Sequence, residues 1–166
     1  MHRPSNVDNA EVLKNILDAL EKIQTELPIV FPMHPRTRKQ IEAFGFSENI
    51  ARMQGLRVVE PIGYFDFLRL MSEAKLVLTD SGGIQEETTI LKVPCITMRE
   101  NTERPITIEV GANRLVGSDR DQILAAYRRA IASDFLNWQV PDLWDGRAAR
   151  RIAEVLTNGH SQSAIV

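Results

Sequence analysis

The run Leu76-Val77-Leu78-Thr79-Asp80-Ser81-Gly82-Gly83-Ile84-Gln85-Glu86-Glu87 constrains this chain more than any other segment, because an apolar strand breaks at Ser-Gly-Gly and restarts as a helix. The pattern predicts that helix over 84–91, with Glu86 and Glu87 in its first turn. Glycines at such a junction let backbone N–H groups approach an anion, and the unpaired amides and positive dipole end of the helix favour it. Ser81, Gly82 and Gly83 therefore read as a phosphate cradle. A steric reading stands beside this one, since strand-to-helix turns use glycine whether or not a ligand binds. Ser81 could cap the helix or meet a phosphate oxygen. Glu86 and Glu87 could serve the helix dipole or accept hydrogen bonds from vicinal ribose hydroxyls.

The rest of the chain alternates in the same way. Val12, Leu13, Ile16, Leu17, Leu20 and Ile23 recur at spacings of three and four and predict a helix over 8–26, opened by Asp8 and Glu11 as a capping box. Short apolar runs at 29–31, 56–59, 76–79, 95–98 and 114–116 read as strands, with helices at 36–44, 64–74 and 84–91 and a short one ending at Val110. Helices at 120–132 and 147–156 close the chain, joined by a segment holding Trp138 and Trp144. The strand runs lack period-two alternation, so they predict a parallel sheet covered on both faces, an α/β doubly wound, Rossmann-like class. One domain is expected over 1–157, with a polar, frayed tail over 158–166. Such a unit opens with a strand near the middle of its sheet, yet Met1-His2-Arg3-Pro4-Ser5-Asn6 leads directly into a helix. The opening strand is expected to be missing, leaving two neighbouring strands with unpaired edges.

Composition excludes several classes. A chain of 166 residues, 43% hydrophobic and 25% charged, suits a globular domain with its own core. A net charge of -2 offers no electrostatic footprint for nucleic acid. Cys95 is the single cysteine and sits in an apolar run, which rules out an internal disulfide and predicts a buried thiol and a cytoplasmic protein. No apolar stretch is long enough to predict a bilayer-spanning helix. Three scattered histidines and one cysteine give no metal-ligand spacing, so no metal is expected. A Gly-x-Ser-x-Gly nucleophile elbow is absent.

Open α/β sheets bind ligands beyond the carboxyl ends of their strands. There the sequence places His34, Pro61 with Gly63, Ser81-Gly82-Gly83, and the charged loop from Arg99 to Arg104. Arg104 could offer a diphosphate paired donors, or simply belong to a solvated loop. His2 and His34 would titrate near neutral pH, and His160 lies in the polar tail.

His2-Arg3-Pro4-Ser5-Asn6, Phe31-Pro32-Met33-His34-Pro35, Asp80 through Glu87 and Thr102-Glu103-Arg104-Pro105, in this order, resemble the non-hydrolysing UDP-N-acetylglucosamine 2-epimerases over the chain to about Leu156. The resemblance implies the C-terminal, UDP-binding half of a glycosyltransferase-B-like fold, in which two Rossmann-like domains enclose the active site. It implies interconversion of UDP-N-acetylglucosamine and UDP-N-acetylmannosamine for cell-surface polysaccharide synthesis. In that chemistry the C2 proton is removed as UDP leaves C1, and UDP then adds back to a glycal intermediate, with no cofactor. By motif match Ser81, Gly82 and Gly83 would hold the diphosphate, Glu87 the ribose hydroxyls, and Phe67, following Pro61, would lie against the uracil. Arg104 would join the same site, His2 would ease departure of UDP, and His34 would occupy the cleft. The groups handling the C2 proton belong to the N-terminal half, so the chain alone is expected to be inactive. Where other members continue the His-Arg pair with Arg-Glu, this chain has Pro4-Ser5. Two alternatives stay open: a hydrolysing epimerase that releases UDP and free N-acetylmannosamine, and a stand-alone UDP-binding module that pairs with a separately encoded half. The expected partners are a UDP-sugar, the missing N-terminal domain and, through exposed sheet edges, further copies of the chain.

Overall fold

The structure, a computed structural model, describes residues 1–132 and 139–160. Among them the chain order is α1 (Pro4–Val7), α2 (Ala10–Ile23), β1 (Ile29–Pro32), α3 (Pro35–Ala43), α4 (Ser47–Arg52), β2 (Leu56–Val59) and α5 (Tyr64–Ser72), followed by β3 (Val77–Thr79), α6 (Gly82–Leu91), β4 (Cys95–Thr97), α7 (Ile106–Glu109), β5 (Asn113–Leu115), α8 (Arg120–Ile131) and α9 (Ala148–His160). Every strand pair is parallel, with Ile29 opposite Leu56, Val77 opposite Cys95 and Cys95 opposite Asn113. The pairs fall into two sheets, β1-β2 and β3-β4-β5, with no ladder joining β1 to β3. The expected α/β pattern of parallel strands joined by helices is present, divided between these two sheets.

Apolar spacing explains the packing. Leu13, Ile16, Leu17, Leu20 and Ile23 make one face of α2 and are all buried, while Glu11, Lys14 and Asp18 point outward or sideways on the opposite face. That face packs on α8, whose Ile123, Leu124 and Tyr127 are also buried, and the cluster extends to Ile96 and Met98. Full burial of each such side chain stabilises by about 1.5–3 kcal/mol. Strand β4 has neighbours on both edges and is buried at all three residues, whereas β1 and β3 each have a partner on one edge and remain partly exposed.

Three local expectations need correction. The cap of α2 is Asn9, whose side chain accepts hydrogen bonds from the backbone N–H groups of Glu11 and Val12 at 2.9 and 3.1 Å. Asp8 instead faces α3, where it pairs with Arg36 and accepts a hydrogen bond from Gln40. That tertiary ion pair outcompetes the local box. Second, α1 and α4 are one-turn or two-turn helices too short to carry an amphipathic period. Third, α9 continues through His160 rather than ending at Leu156. Trp138 lies outside the described residues.

Cys95 is fully buried in β4, and burial pushes its thiol up to about 11 from an ordinary 9.0. A raised value means that the thiol favours the folded state below about pH 9 and loses that contribution as pH rises toward 11. Urea unfolding measured from pH 8 to 11 is therefore expected to fall more steeply for the natural chain than for Cys95→Ala. Parallel curves would count against burial of the thiol.

Candidate functional site

The end of β3 organises the site. Asp80 has no solvent exposure and follows directly on Thr79. Its Oδ2 accepts the backbone N–H groups of His2 and Arg3, both at 2.8 Å, and the Asn6 side-chain amide at 3.5 Å. Oδ1 has no hydrogen-bond donor among the described residues and faces His2 Nδ1 at 3.6 Å and the Met1 amino group at 3.8 Å. Asn6 Nδ2 also donates to the Met98 carbonyl at 2.8 Å, so the first six residues are stitched to the ends of both β3 and β4. A buried carboxylate is costly unless donors surround it, and here those donors are the chain's own first amides.

This stitching brings the two histidines together. The His2 and His34 rings lie 5.2 Å apart between centroids, tilted by 32°. Partial burial lowers His2 below the ordinary imidazole value, with the Asp80 carboxylate opposing that shift. His34 caps α3, its Nδ1 accepting the Arg36 backbone N–H at 3.1 Å, which leaves Nε2 turned outward.

The glycine turn is built differently from its sequence reading. Helix α6 begins at Gly82, two residues earlier than expected, so Glu86 and Glu87 stand in its second turn and gain less from the dipole. Ser81 is the N-cap residue, yet its hydroxyl makes no capping hydrogen bond. Neither glycine adopts a left-handed conformation. A Cβ at Gly83 would meet nothing within 4 Å, and one at Gly82 only Glu103 Oε2 at 3.7 Å. Backbone strain and packing thus fail to explain either glycine, although each costs a helix about 0.5–1 kcal/mol relative to alanine. What remains is open space beside a helix start that has no side-chain cap.

A buried polar cluster holds the neighbouring loop. Gln85 Oε1 accepts from Thr102 Oγ1 at 2.6 Å and from Asn113 Nδ2 at 3.1 Å. Thr97 Oγ1 donates to Asn113 Oδ1 at 2.6 Å, and Thr107 Oγ1 donates to the Arg104 carbonyl at 2.7 Å. The Arg104 backbone N–H returns to Thr102 Oγ1 at 2.9 Å. Gln85, Thr97, Thr107 and Asn113 are wholly buried, so the Thr102-to-Arg104 segment is fastened to α6, β4 and β5 from within. Arg104 Nε then reaches Glu86 Oε1 at 2.9 Å. Arg99, only 10% exposed, grips Glu103 through two hydrogen bonds at 2.9 and 2.7 Å.

Most sequence-predicted residues gather at this end of the sheets. Ser81, Gly82, Gly83, Arg104, His2 and His34 surround the β3 terminus, and Glu87 is half-buried one turn into α6. Pro61 is exposed in the loop after β2. Phe67 is half-buried on α5 and lines an apolar slot that also contains Thr79 and Ile84. Sequence reasoning missed Asp80, Gln85 and Asn113 as organisers. An acid placed immediately after an apolar strand is the signal that marks Asp80, whereas Gln85 and Asn113 carry none without the fold.

These features define a parallel α/β domain whose helix α6 starts, without a side-chain cap, at the end of strand β3. The sequence matches the family described as UDP-N-acetylglucosamine 2-epimerase over residues 1–157, and the chain belongs to that family. It is 44% identical over 161 residues to a UDP-N-acetylglucosamine 2-epimerase of Methanocaldococcus jannaschii, covering 96% of this chain and 43% of that protein. The structure of a Methanocaldococcus jannaschii UDP-GlcNAc 2-epimerase in complex with UDP-GlcNAc and UDP matches at a TM-score of 0.84 and 44% identity, over 95% of this chain and 43% of that one. A UDP-2,3-diacetamido-2,3-dideoxy-D-glucuronate 2-epimerase of Pseudomonas aeruginosa is 38% identical over 157 residues, which are 94% of this chain and 42% of that protein. The chain therefore spans somewhat under half the length of these relatives.

Gly83→Ala is expected to raise the unfolding free energy of the chain by about 0.5–1 kcal/mol, because the helix gains propensity and the added methyl meets open space. Urea denaturation reads this, and a loss of stability would show the site to be tighter than described. The hydrogen bonds from Arg99 hold the Glu103 carboxyl at about 2, below an ordinary 4.5. Being depressed, it favours the fold above about pH 4.5 and loses that contribution as pH falls toward 2. Carboxyl NMR should place the Glu103 midpoint near pH 2 and return it toward 4.5 in Arg99→Ala.

Proposed function

We propose that this chain is the UDP-binding half of a UDP-N-acetylglucosamine 2-epimerase that interconverts UDP-N-acetylglucosamine and UDP-N-acetylmannosamine. The observation that carries the reading is the empty approach to Gly82 and Gly83 at an uncapped helix start. A diphosphate seated there would take backbone N–H donors from α6 and the unoccupied Ser81 hydroxyl. Arg104 would exchange a surface ion pair with Glu86 for paired donation to phosphate oxygens, a small cost because exposed ion pairs contribute about 0–1 kcal/mol. Glu87 would accept the ribose hydroxyls. The uracil would lie toward Phe67 and Pro61.

His2, anchored by its own backbone to Asp80, would stand beside the diphosphate. Protonated, it would offset the charge that gathers on UDP as the C1–O bond breaks and the C2 proton departs. Re-addition of UDP to the glycal, with protonation from the opposite face, completes the inversion. His34 would stand beside it in the cleft, in ring contact with His2. Beside the glycine turn, Glu86 and Glu103 are each paired to arginine, which suits an anion site and leaves neither as a free base for C2. On this reading the proton-handling groups come from the rest of the enzyme, an N-terminal domain. The assembled protein works in the cytoplasm as a homo-oligomer and supplies surface polysaccharide synthesis.

The Pseudomonas aeruginosa relative's name shares UDP and 2-epimerisation with the others and differs in the sugar. Since the residues assembled here address the diphosphate and nucleoside, they support the shared part of these names, and sugar choice belongs to the remainder of the enzyme.

UDP titrated into the chain should shift the amide resonances of Ser81, Gly82 and Gly83, with weak affinity, because half a cleft supplies half its contacts. Shifts elsewhere only would refute the cradle. In the complete enzyme Glu87→Ala should weaken UDP binding by about 1–3 kcal/mol, the cost of leaving hydroxyls unpaired. The chain alone should show no epimerisation, and robust turnover would overturn the division of labour.

A further inference from the structure

Arg99 follows the end of β4 with its backbone held on both sides. Its N–H donates to the Thr97 carbonyl at 2.9 Å, and its carbonyl accepts the Gly117 N–H at 3.1 Å. The side chain is 10% exposed, against 43% for Arg104. A guanidinium taken that far out of water needs an anionic partner, because it cannot shed its charge by losing a proton. Glu103 supplies one. Both Glu103 oxygens accept from the Arg99 fork, and Asn101 Oδ1 accepts a further bond from Nη2 at 3.0 Å.

The Glu103 carboxylate also faces the glycine turn. Its Oε2 lies 3.7 Å from the position a Cβ on Gly82 would take, so a single carboxylate stands between the Arg99 guanidinium and the first residue of α6. Arg99, with Arg3 adding its charge, holds that carboxyl ionised well below the ordinary range. Glu100, in the same loop, lies against Gly117 instead. The pairing is unequal: Glu103 is exposed and water solvates it without help, whereas Arg99 must always have an anion. Carboxylate and phosphate offer a guanidinium fork the same paired acceptors, and like charges this close repel, so the position holds one anion at a time.

We infer that Arg99 is a second guanidinium of the diphosphate site, and that Glu103 is its stand-in anion, displaced when a diphosphate seats on the glycine turn. The inference rests on the reading of that turn as a UDP site and adds to it a binding residue and an internal competitor. Displacement returns Glu103 to water, and the phosphate takes over the Arg99 fork beside the amides of α6. Affinity is then set by the difference between two anions, so removing the charge of the stand-in tightens binding. A Glu103 that merely fastened the loop would act the other way, since its loss would loosen Arg99 and weaken binding.

The test titrates UDP, and separately inorganic pyrophosphate, into the natural chain, Glu103→Gln and Glu100→Gln, followed by the amide resonances of Ser81, Gly82 and Gly83 and the Nε–H resonance of Arg99. Glutamine keeps the size of the side chain and leaves Arg99 an acceptor. Glu103→Gln is expected to bind both ligands about fivefold more tightly, the scale of a partly exposed ion pair that no longer has to be broken. Glu100→Gln removes the same charge from the same loop and should stay within about twofold of the natural chain, because solvent and salt screen it. In the natural chain the Arg99 resonance should move in step with those of the turn. Unchanged or weaker binding by Glu103→Gln, with the turn still responding, would overturn the stand-in and leave the cradle in place. Equal tightening by Glu100→Gln would reduce the effect to bulk charge and overturn it as well. A turn that responds while Arg99 does not would remove Arg99 from the site. No response at residues 81–83 in any of the three chains would refute the UDP reading itself, and this inference with it.

Discussion

Parallel pairing is the constraint from which the rest follows. When β1 to β5 all run the same way, every loop that leaves a strand's carboxyl end emerges on one side, and every return to the next strand must cross over. His34, the Pro61 loop, the Ser81 turn and the loop from Arg99 are separated by tens of residues, yet this one geometric rule delivers them to a common rim. The same rule demands that both faces be covered. Helices α2 and α8, packed on each other, and α5 and α6, likewise in contact, supply that cover, and the fully buried β4 shows what a satisfied interior strand looks like.

Convergence alone leaves a loose rim, and two buried polar systems stiffen it. Asp80 ties the segment from His2 to Asn6 to the rim by accepting hydrogen bonds from its amides. Gln85 and Asn113 do the same for the Thr102-to-Arg104 segment through side-chain amides that must find partners once buried. Both systems lie in the interior, and His2, His34 and Arg104 stand partly exposed beside them. A site made this way keeps its backbone donors preorganised while its charged side chains remain free to trade partners.

Much of this was legible in the sequence because periodicity and strand punctuation are local. The apolar spacing of α2, the five strand runs and the Ser-Gly-Gly junction each declare themselves within a dozen residues. The class, the strand ends and most of the gathered side chains followed from them, as did the buried state of Cys95. What escaped was non-local. Asn9 displaced Asp8 as the cap only because Arg36, 28 residues away, claimed the Asp8 carboxylate. Helix α6 starts at Gly82, and Gln85 within it faces inward to bond Thr102 and Asn113, 17 and 28 residues away. No window of sequence contains either contact.

The glycines of the turn show how the fold and site readings depend on one another. Read locally, two adjacent glycines at a helix start are explained by sterics and need no ligand. Once the backbone is seen to be helical and the space beside it open, the steric account fails.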